Sequence, residues 1–458
     1  MSGKLNTISP VDGSVYVERD YATQAQIESA LDQAKEAQAA WRNTPLEKRI
    51  AYCQQALTYF EKHKDAIADE ITWQMGRPIK QAPGEIKGLI ERANYMISIA
   101  HTTLKDTTPP QRNANERFIA REPVGTVFTI APWNYPYLTA VNSLFPALLA
   151  GNTVILKHSS QTPLCAERFA AAFEAAELPK GVFQYLHIDY DATATIIAHP
   201  TINYVAFTGS VAGGRAVQKA ASERFIGLGL ELGGKDPAYV RADCDLSPTV
   251  ENLVEGSFFN SGQSCCGVER IYVHDDVYDK FITEFTAHVE KYKLGNPTDP
   301  EFNLGPVVRT SAAKFIREQI DDAIEKGAKI ANLNKSTATL PENYVQPHVL
   351  YDVTHHMRVM TEETFGPVVG IMKVYNDEQA IKLMNDSDYG LTASIWTRDQ
   401  ATGIALGRQI ETGTVYINRC DYLDPALPWT GVKETGHGYS LSTLGFDQLT
   451  QAKSFNIN

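Results

Sequence analysis

The sequence predicts an α/β chain built on a doubly wound parallel sheet with a second α/β unit beside it, and three observations predict this. From residue 124 onward, short apolar runs alternate with amphipathic stretches of helical period, the pattern of strand–helix–strand units. One of these runs, Phe225-Ile226-Gly227-Leu228-Gly229-Leu230, ends in Glu231 and two glycines, as a buried strand does when it delivers an acid to the carboxyl edge of a sheet. The chain has 458 residues, more than the ~250–300 at which a single hydrophobic core stops growing, so at least two domains are expected.

Taken in order, residues 23–41 read as an amphipathic helix. Thr23 and Gln26 form a capping box, and Ile27, Ala30, Leu31, Ala34, Ala37 and Trp41 share one face. A second helix is expected over 47–63, with Ile50, Cys53, Leu57 and Phe60 at helical spacing and Cys53 in the core. Thr126–Ala131 and Thr153–Lys157 are apolar strands. A helix over 164–176, carrying Cys165 as a structural residue, stops at Leu178-Pro179-Lys180-Gly181 and releases strand Val182–Leu186. Strand Asn203–Phe207, a helix over 212–222 and strand Phe225–Leu230 complete this series. The second half alternates less cleanly, with helices over 276–292 and 309–327 and strands near 366–374 and 413–418. No repeat, low-complexity tract or Gly/Ser linker separates the halves, so they are expected to pack tightly with a site in the cleft between them.

Composition excludes several classes. A hydrophobic fraction of 43% with 21% charged residues describes an ordinary globular protein. The net charge of −12 argues against a nucleic-acid partner, which requires clustered Lys and Arg. No run approaches the ~18 apolar residues of a membrane span, and Met1–Asn6 lacks the apolar stretch of a signal peptide. The six cysteines are scattered apart from the adjacent Cys265–Cys266, with no disulfide framework or zinc spacing. A reducing, cytoplasmic location is therefore expected, and His355-His356 lacks the spaced third ligand that a metal site needs.

The residues that carry chemistry are few. Gly262-Gln263-Ser264-Cys265 places a thiol in a small polar turn, and a thiol with a partly apolar carboxylate such as Glu231 suits covalent catalysis followed by base-assisted hydrolysis. Cys265 and Cys266 are adjacent and are not expected both to aim at one point, so one of them is taken as the nucleophile. The GxGxxG fingerprint is absent, because Gly227-Leu228-Gly229 lies inside a strand. Instead Thr208-Gly209-Ser210-Val211-Ala212-Gly213-Gly214 leads into a helix, where backbone amides can meet a pyrophosphate. Lys157 closes a strand, either as a ribose or phosphate ligand or as an exposed lysine. Asn134 follows strand 126–131, either as a turn former or as an amide donor to a developing oxyanion.

Read together, Glu231-Leu232-Gly233-Gly234-Lys235, the Gly262–Cys265 turn, Pro132-Trp133-Asn134-Tyr135-Pro136, Phe207-Thr208-Gly209-Ser210 with Gly214, and Glu362-Glu363-Thr364-Phe365-Gly366-Pro367 resemble the aldehyde dehydrogenase superfamily over nearly the whole chain. The nearest likeness is to the shorter bacterial succinate-semialdehyde dehydrogenase-like branch. The resemblance implies NAD(P)-dependent oxidation of a small-molecule aldehyde to a carboxylate through a thiohemiacetal and a thioester. It makes Cys265 the nucleophile, Asn134 an oxyanion donor and Glu231 the base. It assigns cofactor contacts to Trp133, Lys157, Ser160, Gly209, Ser210, Gly214, Glu363 and Phe365, and a substrate tunnel to Tyr135, Asn142, Cys266 and Trp429, the last at its mouth.

Three departures matter. Position 160, where NAD-preferring relatives carry a Glu that repels a 2′-phosphate, is Ser160, so NAD or NADP is implied, with NADP used at least comparably; His158 beside it would add charge at low pH. Position 142, where relatives acting on succinic semialdehyde carry Arg, is Asn142. Tyr439-Ser440 replaces a usual Arg-Glu pair and is expected to alter packing near the C-terminus.

By the same resemblance, residues 1–104 and 124–233 form the NAD(P)-binding domain and 234–440 the catalytic domain. Residues 105–123 and 441–458 supply strands of a small β arm that joins a homodimer or homotetramer. Rival readings are a cofactor-free thiol hydrolase, a CoA-acylating relative and a non-catalytic structural protein that keeps the fold. The glycine turn and Glu363 argue against the first, Glu231 favours water over CoA, and the complete set of chemical residues argues against the last.

Overall fold

Two largely parallel sheets organise the molecule, described at residues 3–110, 116–331 and 340–457 of a computed structural model. Residues 111–115 of the expected 105–123 segment, and the terminal Met1, Ser2 and Asn458, lie outside the described residues.

The first sheet has six strands, in the order Gly436–His437, Gly227–Glu231, Ile202–Thr208, Thr126–Ala131, Thr153–His158, Phe183–Tyr185. All pairings are parallel except that of Gly436–His437 with Gly227–Glu231. Strands Thr126–Ala131 and Thr153–His158 are buried at every residue, as strands covered on both faces must be. Their side chains alternate between two cores. Val127, Val154 and Leu156 join helices Leu46–Met75, Pro83–Thr103 and Pro163–Ala175, while Phe128, Ile130 and Ile155 meet Ile27, Leu31 and Ala34 of helix Gln24–Trp41. That last helix starts as the sequence predicts, with the Thr23–Gln26 capping box formed in both directions.

Three expectations change. The helix expected over 47–63 runs from Leu46 to Met75, ending at Gly76 in the left-handed region. A helix absent from the sequence reading, Pro83–Thr103, packs against it. The strand expected at Phe225–Leu230 begins only at Gly227 and includes Glu231; Phe225 stands fully exposed before it, and only Leu230 within it is buried. Cys53 and Cys165 are core residues.

The second sheet has seven strands, ordered Lys329–Ile330, His348–Tyr351, Val368–Val374, Val268–His274, Asp236–Val240, Thr392–Trp396, Thr414–Ile417. Only the two-residue Lys329–Ile330 runs antiparallel to its neighbour. Residues 232–235 connect Glu231, the last residue of a strand in the first sheet, to Asp236, the first of a strand in the second. Strands Glu116–Pro123 and Thr450–Ile457 pair with each other over their whole length as a separate antiparallel ribbon, with Phe118 stacked on Phe455 at 4.5 Å between ring centroids. No helix among the described residues is long and apolar enough to cross a membrane.

Candidate active site

The strand order of the six-stranded sheet fixes where a ligand can enter. From Thr126–Ala131 the chain builds outward through Thr153–His158 to Phe183–Tyr185, then crosses back to place Ile202–Thr208 on the other side. The carboxyl ends of these two adjacent strands therefore splay apart, which opens a crevice at a topological switch point. Trp133 and Asn134 follow one of these ends, and Gly209 and Ser210 follow the other. Ser210 caps helix Val211–Ala220, accepting a hydrogen bond from Gly213 N at 3.2 Å.

Two cavities meet there. One of ≈ 340 Å³ runs along Trp133, Gly209, Ser210, Gly233, Glu363 and Phe365. The other, of ≈ 390 Å³, is lined by Tyr135, Asn142, Cys266, Trp429 and Arg92 among others. Thr208, Glu231, Leu232 and Cys265 belong to both linings. The thiol of Cys265 thus sits at the junction.

The turn that carries Cys265 is set by backbone conformation. Asn260, Ser261 and Gly262 have φ of 52°, 57° and 70°. At Gly262 a Cβ would lie 2.1 Å from the carbonyl oxygen of Gly366, so only glycine lets the cysteine turn approach the Glu363–Pro367 segment. Asn134 is 5% exposed, and its Nδ2 donates to Gln263 O at 3.3 Å, which ties the Pro132–Pro136 loop to the same turn.

Glu231 ends its strand with its carboxylate held from two sides. Thr208 Oγ1 donates to Oε2 at 3.0 Å, and Ser440 Oγ donates to Oε1. Burial pushes its pKa above the ordinary carboxylate range, against the pull of those two hydroxyls and of the Arg92 charge. Ser440 was expected only to change packing; it is in direct contact with the acid. Cys266 is 3% exposed, with its thiol 3.0 Å from Asp421 Oδ1. Its pKa is held well above the usual thiol range, first by its hydrogen bond with Cys265 and then by burial. Trp429 is 4% exposed and forms a wall of the cavity, not its mouth, exchanging backbone hydrogen bonds with Ser440 at 2.8 and 3.0 Å.

Lys157, Ser160 and Gly214 lie outside both cavity linings. Lys157 is 9% exposed, its Nζ 5.5 Å from the centroid of the Tyr190 ring, with burial lowering its pKa. Ser160 is exposed just beyond the same strand end. His158 is not a surface charge: it is buried, its Nε2 lies 3.1 Å from Pro136 O, and burial lowers its pKa to about 4. It is therefore neutral through the physiological range.

Several residues that the sequence reading passed over hold the site together. Arg77, buried, pairs with Glu85 and donates to Asn134 O at 2.5 Å and to Asn260 Oδ1 at 3.1 Å. Glu85 in turn accepts from the Tyr137 and Leu138 amides at 2.9 and 3.0 Å, so one ion pair fixes the Asn134 loop, the next helix and the cysteine turn. Across the site, the buried Lys235–Glu269 pair at 2.5 Å binds the Gly233–Lys235 turn to the Thr364 and Phe365 amides. Phe365 packs edge-on against Trp133, 5.7 Å between ring centroids. Glu363 accepts from Gly234 N at 3.2 Å, and burial raises its pKa to about 8.

Comparison with known proteins agrees with this architecture. The model of the "Aldehyde dehydrogenase family" matches residues 1–455. An aldehyde dehydrogenase of Paenarthrobacter nicotinovorans is 34% identical over 98% of this chain and 99% of that protein. A succinate-semialdehyde dehydrogenase [NADP(+)] of Deinococcus radiodurans is 33% identical over 98% of this chain and 93% of that protein. The crystal structure of succinic semialdehyde dehydrogenase from Streptococcus pyogenes in complex with NADP+ superimposes with a TM-score of 0.94 at 30% identity, covering 98% of this chain and 99% of that one. With its two sheets, its crevice and its thiol–acid pair in place, this chain belongs to the aldehyde dehydrogenase family.

Proposed function

We propose that the protein oxidises an aldehyde to a carboxylate, with NAD or NADP as acceptor, through a thioester on Cys265. The observation that carries this reading is the position of Cys265 and Glu231 where the two cavities join. One cavity serves the aldehyde and the other the cofactor, and a single sulfur reaches both.

In this reading Cys265 Sγ adds as the thiolate to the carbonyl carbon, and the displaced π electrons settle on the oxygen. The Asn134 amide and the Cys265 backbone N–H donate to that oxyanion, each such donor contributing ~3–4 kcal/mol. A bound nicotinamide supplies the hydride acceptor that turns the adduct into a thioester. Glu231 then takes a proton from water as the water oxygen attacks the thioester carbon; the C–S bond breaks, Cys265 leaves as the thiolate, and the carboxylic acid released loses its proton to solvent. Burial lifts the Glu231 pKa toward the range where a base works at neutral pH.

The cofactor-side cavity suits the nicotinamide end of a dinucleotide, with Lys157, Ser160 and Gly214 beyond its lining. Gly209 and Ser210 open a helix whose amides face anions. A Cβ on Gly233 would lie 2.3 Å from Glu363 Oε2, so glycine there lets that carboxylate reach the cavity. Glu363 would hold the nicotinamide ribose, Trp133 and Phe365 would flank the ring, Gly209, Ser210 and Gly214 would let the turn and helix end approach the pyrophosphate, and Lys157 with Ser160 would take the adenosine ribose. A neutral Ser160 next to a lysine admits a 2′-phosphate, and relatives named for NADP support use of that cofactor.

We assign cofactor binding to residues 1–104 and 124–233 and catalysis to 234–440, with strand Gly436–His437 returning to the first sheet. The Glu116–Pro123/Thr450–Ile457 ribbon is mostly half-buried to exposed. Extension of a neighbouring copy's sheet along its outer edges would give a dimer or tetramer, and a monomer by light scattering at micromolar concentration would contradict this. The test of the activity itself is an aldehyde panel run with both cofactors. Stoichiometric carboxylate and reduced nicotinamide are expected; absence of turnover with every aldehyde and either cofactor would refute the reading.

A further inference from the structure

The lining of the cavity on the substrate side contains a buried arginine that forms no ion pair among the described residues. Arg92, on helix Pro83–Thr103, is 8% exposed and faces the ≈ 390 Å³ cavity that also holds Cys265. Its Nη1 donates to Leu138 O at 2.5 Å and to Asn142 Oδ1 at 3.2 Å. Among the described residues no carboxylate lies within ion-pair distance of it. Arg77, buried to a similar degree, has Glu85.

The acids in the same lining are otherwise engaged. Glu231 accepts from Thr208 and Ser440, Asp421 accepts from Ser264 and Cys266, and Glu91 and Glu255 are exposed to solvent. The one other arginine of the lining, Arg419, is exposed and lies 3.4 Å above the Tyr422 ring centroid. A guanidinium does not lose its proton on burial. A buried cation without a partner is held at a large desolvation cost, and its planar fork matches a carboxylate. Asn142 fixes the guanidinium from one side and leaves the rest of the fork for a ligand.

We propose that Arg92 binds the end of the substrate remote from the carbonyl, so that the preferred aldehydes are ω-oxo carboxylic acids. Asn142 is a positioning residue for it. This rests on the assignment of Cys265 as the nucleophile of an aldehyde oxidation.

The experiment compares kcat/KM for an unbranched ω-oxo acid and for the neutral aldehyde of the same carbon number, in the parent, Arg92→Met and Arg92→Lys. Losses common to both substrates cancel in the ratio. The parent ratio should favour the oxo acid, and Arg92→Met should lower it by about 30-fold or more, as expected when one partner of a buried charge pair is removed. Arg92→Lys should keep part of the preference. Titration calorimetry with the corresponding dicarboxylate gives a readout independent of turnover: binding to the parent and loss of binding in Arg92→Met are expected.

A parent that prefers the neutral aldehyde, or a ratio unchanged in Arg92→Met, overturns the proposal. Equal loss on both substrates with a displaced acid limb of the pH profile also overturns it, by showing that Arg92 serves Glu231 instead. If the parent binds the dicarboxylate through Arg92 yet oxidises no aldehyde, the anion site stands and the oxidation reading falls.

Discussion

The two cavities that meet at Cys265 are built from different materials. The cofactor side combines backbone turns with rings: the Gly209–Ser210 turn and helix end, the Gly233–Lys235 turn tied by Lys235–Glu269 to the amides of Thr364 and Phe365, and the side chains of Trp133, Phe315 and Phe365. The substrate side is shaped by side chains, with Arg92 and Asn142 projecting from two helices and Asp421 and Trp429 from the connection after strand Thr414–Ile417. Backbone amides recognise what every dinucleotide shares, whereas side chains can change one at a time and redefine which aldehyde is accepted. The junction residues Cys265 and Glu231 belong to both linings, which is where the proposed chemistry, common to all substrates, needs them.

The largest expected effect falls at the junction. Cys265→Ala should abolish turnover while cofactor binding, read by fluorescence titration, persists; Cys266→Ala, which changes only the substrate wall, should keep substantial activity. The opposite result would reassign the nucleophile. Next comes the frame. Arg77→Ala leaves Glu85 buried without its partner, and breaking such a pair costs on the order of 3–5 kcal/mol. A clear fall in Tm together with lower activity is expected, and an unchanged Tm would show that the pair is not what holds the Asn134 loop.

A smaller, more specific change is expected at Ser440. Its hydroxyl favours the ionised form of Glu231, so Ser440→Ala should raise the Glu231 pKa further. Because the base works ionised, activity falls as pH drops through that pKa, and the acid limb of the kcat profile should move to higher pH. On the acid limb the loss should be about tenfold or more, in line with ~1.5–3 kcal/mol for a hydrogen bond to a charged group. An unmoved acid limb would place another group in control. The smallest effect belongs to the cofactor side. Ser160→Glu should depress kcat/KM for NADP more than for NAD by at least several-fold, the low end of ~1–4 kcal/mol of charge repulsion at ~4 Å. An unchanged ratio, or a parent that rejects NADP, would remove Ser160 from cofactor choice.

The sequence made the first sheet readable because strands Thr126–Ala131 and Thr153–His158 are buried throughout and therefore appear as unbroken apolar runs. Helix Pro83–Thr103 was not readable for the same physical reason in reverse: its buried face includes Glu85 and Arg92, which interrupt the apolar stripe. Strand Val268–His274 hides Glu269 and Arg270, 4% and 1% exposed, inside an apolar run. A charged pair flanked by apolar residues was the available signal there. Phe225 misled in the other direction, since an aromatic next to a strand need not be buried. The thiol, the acid and the asparagine were legible as motifs. The groups that hold them (Arg77, Glu85, Lys235, Glu269, Ser440) acquire meaning only from partners distant in the chain.

In the proposed mechanism one sulfur at the junction carries the substrate between two half-reactions, and Glu231 is needed only for the second. The most direct measurement is peptide-resolved mass spectrometry of Glu231→Gln mixed with an accepted aldehyde and NADP. An acyl adduct on the Cys265 peptide should accumulate, together with a single-turnover burst of reduced nicotinamide and little steady rate. Steady turnover near that of the parent, or an adduct on Cys266 instead, would contradict the account.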